Sequence, residues 1–232
     1  MKKFILLVVM VVLYQVTQAH TCDPRIVRCP IDNKKVEFCV TMSMSTFGSY
    51  YDFQKTGAIG NHYEQLINSC PKCHFSGFLS DFEKDYSNAE MHKLTTFLEK
   101  YKNIAITDAK ECEIAAEIKA FLNEPNDAIS NCYLLGSYLV RSETTKTEYR
   151  ILLQQNTCTY LLKAIDAKEY EDKKVATIYY LIGEMYRRTA DFDNAINYYN
   201  QAIANENKQE WIEQVANQMK DLALKKDADN NI

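Results

Sequence analysis

Cys70-Pro71-Lys72-Cys73 is a C-x-x-C knuckle, and about forty residues upstream Cys29-Pro30-Ile31-Asp32 repeats its frame with a carboxylate in place of the second cysteine. Two C-P-x-C knuckles at that distance read as a zinc ribbon, because four thiolates can then meet as a tetrahedron. Here three thiolates and one carboxylate would converge, a set less common in structural zinc sites. Two other chemistries fit the same residues. One is disulfide bonding among Cys22, Cys29, Cys39, Cys70 and Cys73; the other is a redox-active Cys70/Cys73 pair, since C-P-x-C also occurs in thiol oxidoreductases. That enzyme fold sets its motif in a βαβ unit, which the residues beyond Cys73 do not suggest. The chain has eight cysteines, an even number that permits full pairing without giving connectivity. Cys112, Cys132 and Cys158 lie inside helical patterns and read as buried thiols.

Little else in the sequence has the spacing of a catalytic site. Of His20, His62, His74 and His92, only His74 adjoins a knuckle, where it is the best spare ligand though it reads more simply as a surface histidine; His62 and His92 have no partner at metal spacing. There is no recognisable Ser/His/Asp motif, glycine-rich phosphate loop or H-E-x-x-H. Glu169 and Glu171 read as a solvated helix face. The expectation is a binding protein rather than an enzyme, with a thiol-disulfide oxidoreductase using Cys70 and Cys73 as the alternative.

The compartment bears on the cysteines. Lys2 and Lys3 precede an unbroken apolar run from Phe4 to Leu13, and Thr17-Gln18-Ala19 follows as a cleavage site. This is the layout of a secretory signal peptide over residues 1–19, too short to span about 30 Å of hydrocarbon. The mature chain would begin at His20 in the periplasm or outside the cell, where disulfides form. Losing two lysines takes the net charge from −4 to −6, which argues against a nucleic-acid partner. No later run reaches the length of a membrane span.

The elements that must position these residues change in character near residue 80. Four of the six glycines and three of the four prolines lie before it. Residues 20–80 therefore read as a small, loop-rich cysteine module of α+β or zinc-ribbon-like type, with strand-like alternation at Lys35–Val40. It should be held by something other than a large core. Residues 81–226 read as helical. Asn88, Asp108 and Asn126 can cap the first three helices, and later segments run over 149–170, 176–188, 194–205 and 209–226. In the last, Trp211, Val215, Met219 and Leu222 form one apolar stripe that would cap the array. Residues 227–232 are a polar tail expected to fray.

One helical pair is specific. Tyr179, Ile182, Gly183, Tyr186, Ala195, Tyr199 and Ala202 occupy seven of the eight signature places of a tetratricopeptide (TPR) repeat, with Asn207 in place of the closing proline. Large residues would fill the interhelical groove, while Gly183, Ala195 and Ala202 would let the helices approach closely. Arg187 to Asp193 would form the turn. One repeat cannot bury its own face, so 128–141 and 149–170 read as degenerate partners.

The chain resembles bacterial proteins classed as a domain of unknown function, which join an N-terminal zinc-ribbon-like region to TPR-like helices. The likeness rests on Cys29-Pro30-Ile31-Asp32, on Cys70-Pro71-Lys72-Cys73-His74-Phe75 followed by Ser80-Asp81-Phe82, on Ser137-Tyr138-Leu139-Val140-Arg141, and on Tyr180-Leu181-Ile182-Gly183-Glu184-Met185-Tyr186-Arg187-Arg188. It spans most of the mature chain, and the last block is the most specific. The family pattern has cysteine at position 32 and usually glycine at position 74, and its members lack a signal peptide. The resemblance implies structural zinc on Cys29, Asp32, Cys70 and Cys73, and it brings no reaction. The expectation is thus a mainly α protein, a TPR-like hairpin array behind a cysteine module, that binds a protein or peptide.

Overall fold

The computed structural model describes residues 20–232; the signal peptide expected over 1–19 lies outside them. The protein is mainly helical, with a small antiparallel sheet at its start. Strands β1 (His20–Arg28), β2 (Lys35–Ser49) and β3 (Lys55–Ala58) pair in the order β1-β2-β3. The alternation at Lys35–Val40 does form a strand: Val36 and Phe38 point into the core while Lys35 and Glu37 face solvent. Pairing with β1 extends β2 well past the alternating segment, leaving Met42 and Phe47 exposed. Pro24 sits in β1, an edge strand, the place in a sheet where proline is tolerated. Cys22 and Cys39 are joined across the two strands, Cα to Cα 5.2 Å, as the one disulfide among the described residues.

Two-residue strands β4 (Asn68–Ser69) and β5 (Ser76–Gly77) bracket the second knuckle. Eight helices follow: α1 (Leu79–Glu83), α2 (Asn88–Leu98), α3 (Asp108–Phe121), α4 (Asn126–Leu139), α5 (Thr147–Asp166), α6 (Asp172–Arg188), α7 (Phe192–Ala204) and α8 (Glu210–Leu224). From α3 onward each helix packs on the next. None is long and apolar enough to cross a membrane among the described residues.

The caps sit one residue earlier than the sequence suggests. Ser87, not Asn88, caps α2 in a capping box with Glu90, and Thr107, not Asp108, caps α3. At α4 the cap comes from elsewhere: Asn126 N and Asp127 N donate to the Glu169 carboxylate at 3.0 and 2.9 Å. Glu169 is thus bound to a helix N-terminus and not simply solvated, and those two amides hold its pKa below the usual carboxylate range against the opposing effect of desolvation.

The cysteine region does not keep a core to itself. Cys29, Val36, Phe38, Cys70 and Phe75 share one apolar cluster with Phe82, Leu94, Leu98, Ile114 and Ile118 from α1, α2 and α3. A second cluster joins Tyr63 and Ile67 to α3, α4 and α5.

In the α6–α7 hairpin, Ile182, Ala195, Tyr199 and Ala202 are fully buried, while Tyr179 and Tyr186 are half-buried. A Cβ on Gly183 would lie 2.7 Å from the Tyr199 ring, so glycine is required by that close approach. Tyr186 stacks on Tyr198 with centroids 5.5 Å apart. The turn is shorter than the sequence suggests: α6 continues through Arg187 and Arg188, both buried, and Asp191 caps α7. In α8 the buried stripe is Ile212, Ala216, Met219 and Ala223, one residue out of step with the expected one. Trp211 is 37 % exposed and meets Phe53 and Tyr180 only edge-on. The tail is not frayed, because its backbone is held against buried arginines.

Candidate metal centre

Both knuckles adopt one backbone form. Cys29 N donates to Lys34 O at 2.8 Å, and Asn33 N donates to Cys29 O at 2.9 Å. In the second knuckle Cys70 N donates to Phe75 O at 2.8 Å, and His74 N donates to Cys70 O at 3.0 Å. Each loop closes on a left-handed residue, Asn33 at φ 60° and His74 at φ 62°. Asparagine and histidine tolerate that region better than most residues do, though glycine fits it best. His74 therefore serves the turn. Asp32 takes the same place in its loop as Cys73 does in the other, so the two loops face each other as near copies.

That symmetry brings four ligand atoms together. One atom each from Cys29, Asp32, Cys70 and Cys73 lies within 4.8 Å of all the others. Cys29 Sγ is 3.4 Å from Cys73 Sγ, and Cys70 Sγ is 3.3 Å from Asp32 Oδ1. Zinc–sulfur bonds of about 2.3 Å at tetrahedral angles put ligands about 3.7 Å apart, so the four groups already stand near the corners of such a site. Asp32 Oδ1 also accepts from Lys34 N at 3.1 Å, which fixes the carboxylate's direction.

The surroundings are asymmetric. Cys29 and Cys70 are buried against an aromatic wall in which Phe75 and Phe38 each meet Phe82 edge-on, at 5.0 and 5.3 Å. Asp32 and Cys73 face a cavity of about 270 Å³ lined also by Ile31, Lys72, Leu98 and Lys102. Without a metal the three thiols cannot all ionise together. Hydrogen bonds from Cys29 and then Cys73 lower the Cys70 thiol from its ordinary range. Its bond to Cys70 pushes Cys29 up to about 12, and bonds to Cys29 and Cys70 push Cys73 up as well. A dication at the centre would favour the thiolate form of all three.

The cysteines thus divide between two chemistries that the sequence left open. Cys22 and Cys39 form the disulfide, while Cys29, Cys70 and Cys73 remain free and clustered with Asp32, a group that could bind a metal. Cys112, Cys132 and Cys158 are buried free thiols; desolvation pushes Cys132 up to about 12. Cys70 is fully buried and lies between β4 and β5 rather than at the head of a helix.

No histidine joins the cluster. His62 instead shares the Thr41 hydroxyl with His20, each ring nitrogen 2.9 Å from Oγ1, a pairing across 42 residues that sequence spacing could not disclose. Desolvation, with smaller contributions from Lys55 and His20, lowers the His62 pKa.

A family model described as "Uncharacterized protein conserved in bacteria (DUF2225)" matches residues 25–225. That span includes both knuckles and runs through α8, stopping short of the tail. No curated protein and no solved structure matches the chain.

Proposed function

This chain belongs to the bacterial family DUF2225, and from its geometry we propose that it is an exported binding protein with a structural zinc on Cys29, Asp32, Cys70 and Cys73. Its TPR-like hairpins present the surface for a protein or peptide. The observation that carries this reading is the pairing of two like knuckles around four converging ligands. Four protein ligands close a tetrahedron and leave no position for substrate, which is the arrangement of a structural site. The zinc ties β1 and β2 to the β4–β5 turn beside the aromatic wall, a region with few apolar side chains of its own.

Three further observations support the reading. The Cys22–Cys39 disulfide suits an oxidising compartment, the one that a leader over residues 1–19 would lead to. Cys70 is fully buried and has no helix N-terminus beside it, so its sulfur lacks the solvent access of a catalytic thiol. Gly183 against Tyr199 is the close small-to-large contact that the TPR register requires. The alternative, thiol-disulfide exchange at Cys70 and Cys73, has the C-P-x-C spacing in its favour.

The test uses the exported protein. Metal analysis should find one zinc per chain, and alkylation after chelation should label Cys29, Cys70 and Cys73. A metal-free protein in which those three cysteines are oxidised would overturn the zinc site. Turnover of a disulfide substrate that disappears in Cys73→Ser would overturn the non-enzymatic reading.

A further inference from the structure

The segment 227–232 lies where a ligand would lie. Lys226, at φ 58°, turns the chain back from the end of α8, and Asp227 and Asp229 each accept from the amide two residues on, at 2.8 Å, which holds the segment open. Its carbonyls are then taken one after another. Arg187 Nη1 donates to Asp227 O and Asp229 O at 3.0 and 3.1 Å. Arg141 and Arg188 both donate to Asn230 O, and Arg188 Nη2 donates to Ile232 O at 2.8 Å. One side chain is also gripped: Gln154 Nε2 donates to Asn230 Oδ1 at 2.9 Å, and Asn230 Nδ2 donates to Arg188 O at 3.3 Å. Asp229 and Asn231 point outward.

The side chains of this floor carry one more guanidinium than carboxylate. Arg141, Arg187 and Arg188 are buried with only Asp52 and Glu184 as counter-ions. The third guanidinium is met by oxygens of the 227–232 segment, Asn230 O and Ile232 O among them. The tail does not satisfy the floor fully, because Gln154 Oε1 is buried without a hydrogen-bond partner. The Gln154 amide lies against Asn230, and its buried oxygen calls for a donor that the present occupant does not supply. The contacts read main-chain carbonyls and one amide side chain, so they select an extended peptide with asparagine or glutamine at one position and little else.

We propose that the groove over Arg141, Arg187, Arg188 and Gln154 is the peptide-binding site of this protein, and that residues 227–232 occupy it in cis as a stand-in for an extended, amide-bearing segment of a protein partner. This deepens the binding-protein reading above and rests on it. A short tether presents the tail at an effective concentration in the millimolar range, so a partner must either bind tighter or coincide with tail release. The docked tail therefore sets the affinity threshold for entry.

The probe is the synthetic hexapeptide Asp-Ala-Asp-Asn-Asn-Ile, the sequence of residues 227–232, fluorescently labelled and titrated into the zinc-loaded chain ending at residue 226. Saturable binding is expected, at least about tenfold weaker for a peptide with alanine at its fourth position and at least about tenfold weaker for the full chain, whose groove is filled. Asn230→Ala in the full chain should loosen the tail and restore capture without any deletion. Light scattering distinguishes a partner peptide from the tail of a second copy, which would appear as a dimer of the full chain. If both variants keep their helical circular dichroism and neither captures the peptide, the groove is not a receptor and the inference is overturned. It is equally overturned if both variants unfold, since the tail is then part of the core. Disulfide turnover by the same preparations would sink the parent reading whether or not peptide binds.

Discussion

The knuckle cluster and the arginine floor beneath α6 are both buried polar centres, but they are completed in opposite ways. At the knuckles every converging group is an acid: three thiols and Asp32. They cannot all carry charge at once unless a cation arrives from outside the chain. Under α6 the chain supplies both signs, with Glu184 held between Arg187 and Arg188 at 3.0 Å and Tyr199 donating to it at 2.5 Å. Arg187 and the basic pair hold the Glu184 carboxyl below its ordinary range despite the desolvation that opposes them. One centre is conditional on a ligand and the other is built into the fold. Stability should accordingly depend on metal supply at the first and on the chain's own ion pairs at the second.

The largest effect should come from breaking the built-in centre. Glu184→Ala leaves the buried Arg187 without an anion and Arg188 with only Asp52 at 3.6 Å, and should cost about 3–5 kcal/mol. Urea unfolding followed by circular dichroism would measure it, and a midpoint near that of the parent would mean the arginines find solvent. Next, Ala195→Leu forces a larger side chain between α6 and α7 beside Gly183. A loss of about 1–3 kcal/mol is expected from overpacking, with no change in metal content. An unshifted thermal midpoint would remove the TPR register.

Smaller again, Asp32→Ala deletes one of four ligands. Zinc affinity should fall about tenfold or more, worth roughly 1.4 kcal/mol, while Asp32→Cys should tighten it. Competition against a chromophoric chelator reads both, and equal affinities for the three proteins would show that Asp32 is no ligand. The smallest effect concerns Glu111, on α3, whose carboxylate accepts from Ser69 N at 3.2 Å beside the second knuckle. Desolvation, with Asp108 adding to it, raises its pKa from 4.5 to about 7. A raised carboxyl favours the folded state most at low pH, and that contribution is lost as pH climbs from about 4.5 through 7. Glu111→Gln should flatten the stability profile over that window and add about 1 kcal/mol at neutral pH after screening. An unchanged profile would place the dependence elsewhere.

What the sequence disclosed follows the range of each interaction. The turns of the knuckles and the alternation of Lys35–Val40 are set by neighbours a few positions apart, and both appear where their spacing puts them. The partition of five cysteines into a disulfide and a cluster depends on β1 lying against β2, which no spacing encodes. The stripe on α8 centres beside the expected one because Trp211 is apolar yet 37 % exposed and Val215 and Leu222 only flank the core, while Ala216 and Ala223 are small and easily overlooked. Arg187 and Arg188 read as turn residues because charged side chains are usually exposed. Only their partners, Glu184 one turn back and a tail some forty residues on, account for their burial.

The disulfide has a consequence for the order of assembly. Cys22 pairs with Cys39 across 17 positions and passes over Cys29, which lies inside the closed loop. Closing a loop of about that length removes roughly 3 kcal/mol of chain entropy from the unfolded state and so holds the first knuckle near its final shape. In an unfolded chain, however, shorter loops close more readily, and Cys22 meets Cys29 sooner than Cys39, just as Cys70 meets Cys73. An oxidant arriving before the metal would capture those near neighbours. Refolding with zinc before oxidant should give one mass and one disulfide, and the reverse order a mixture of scrambled isomers.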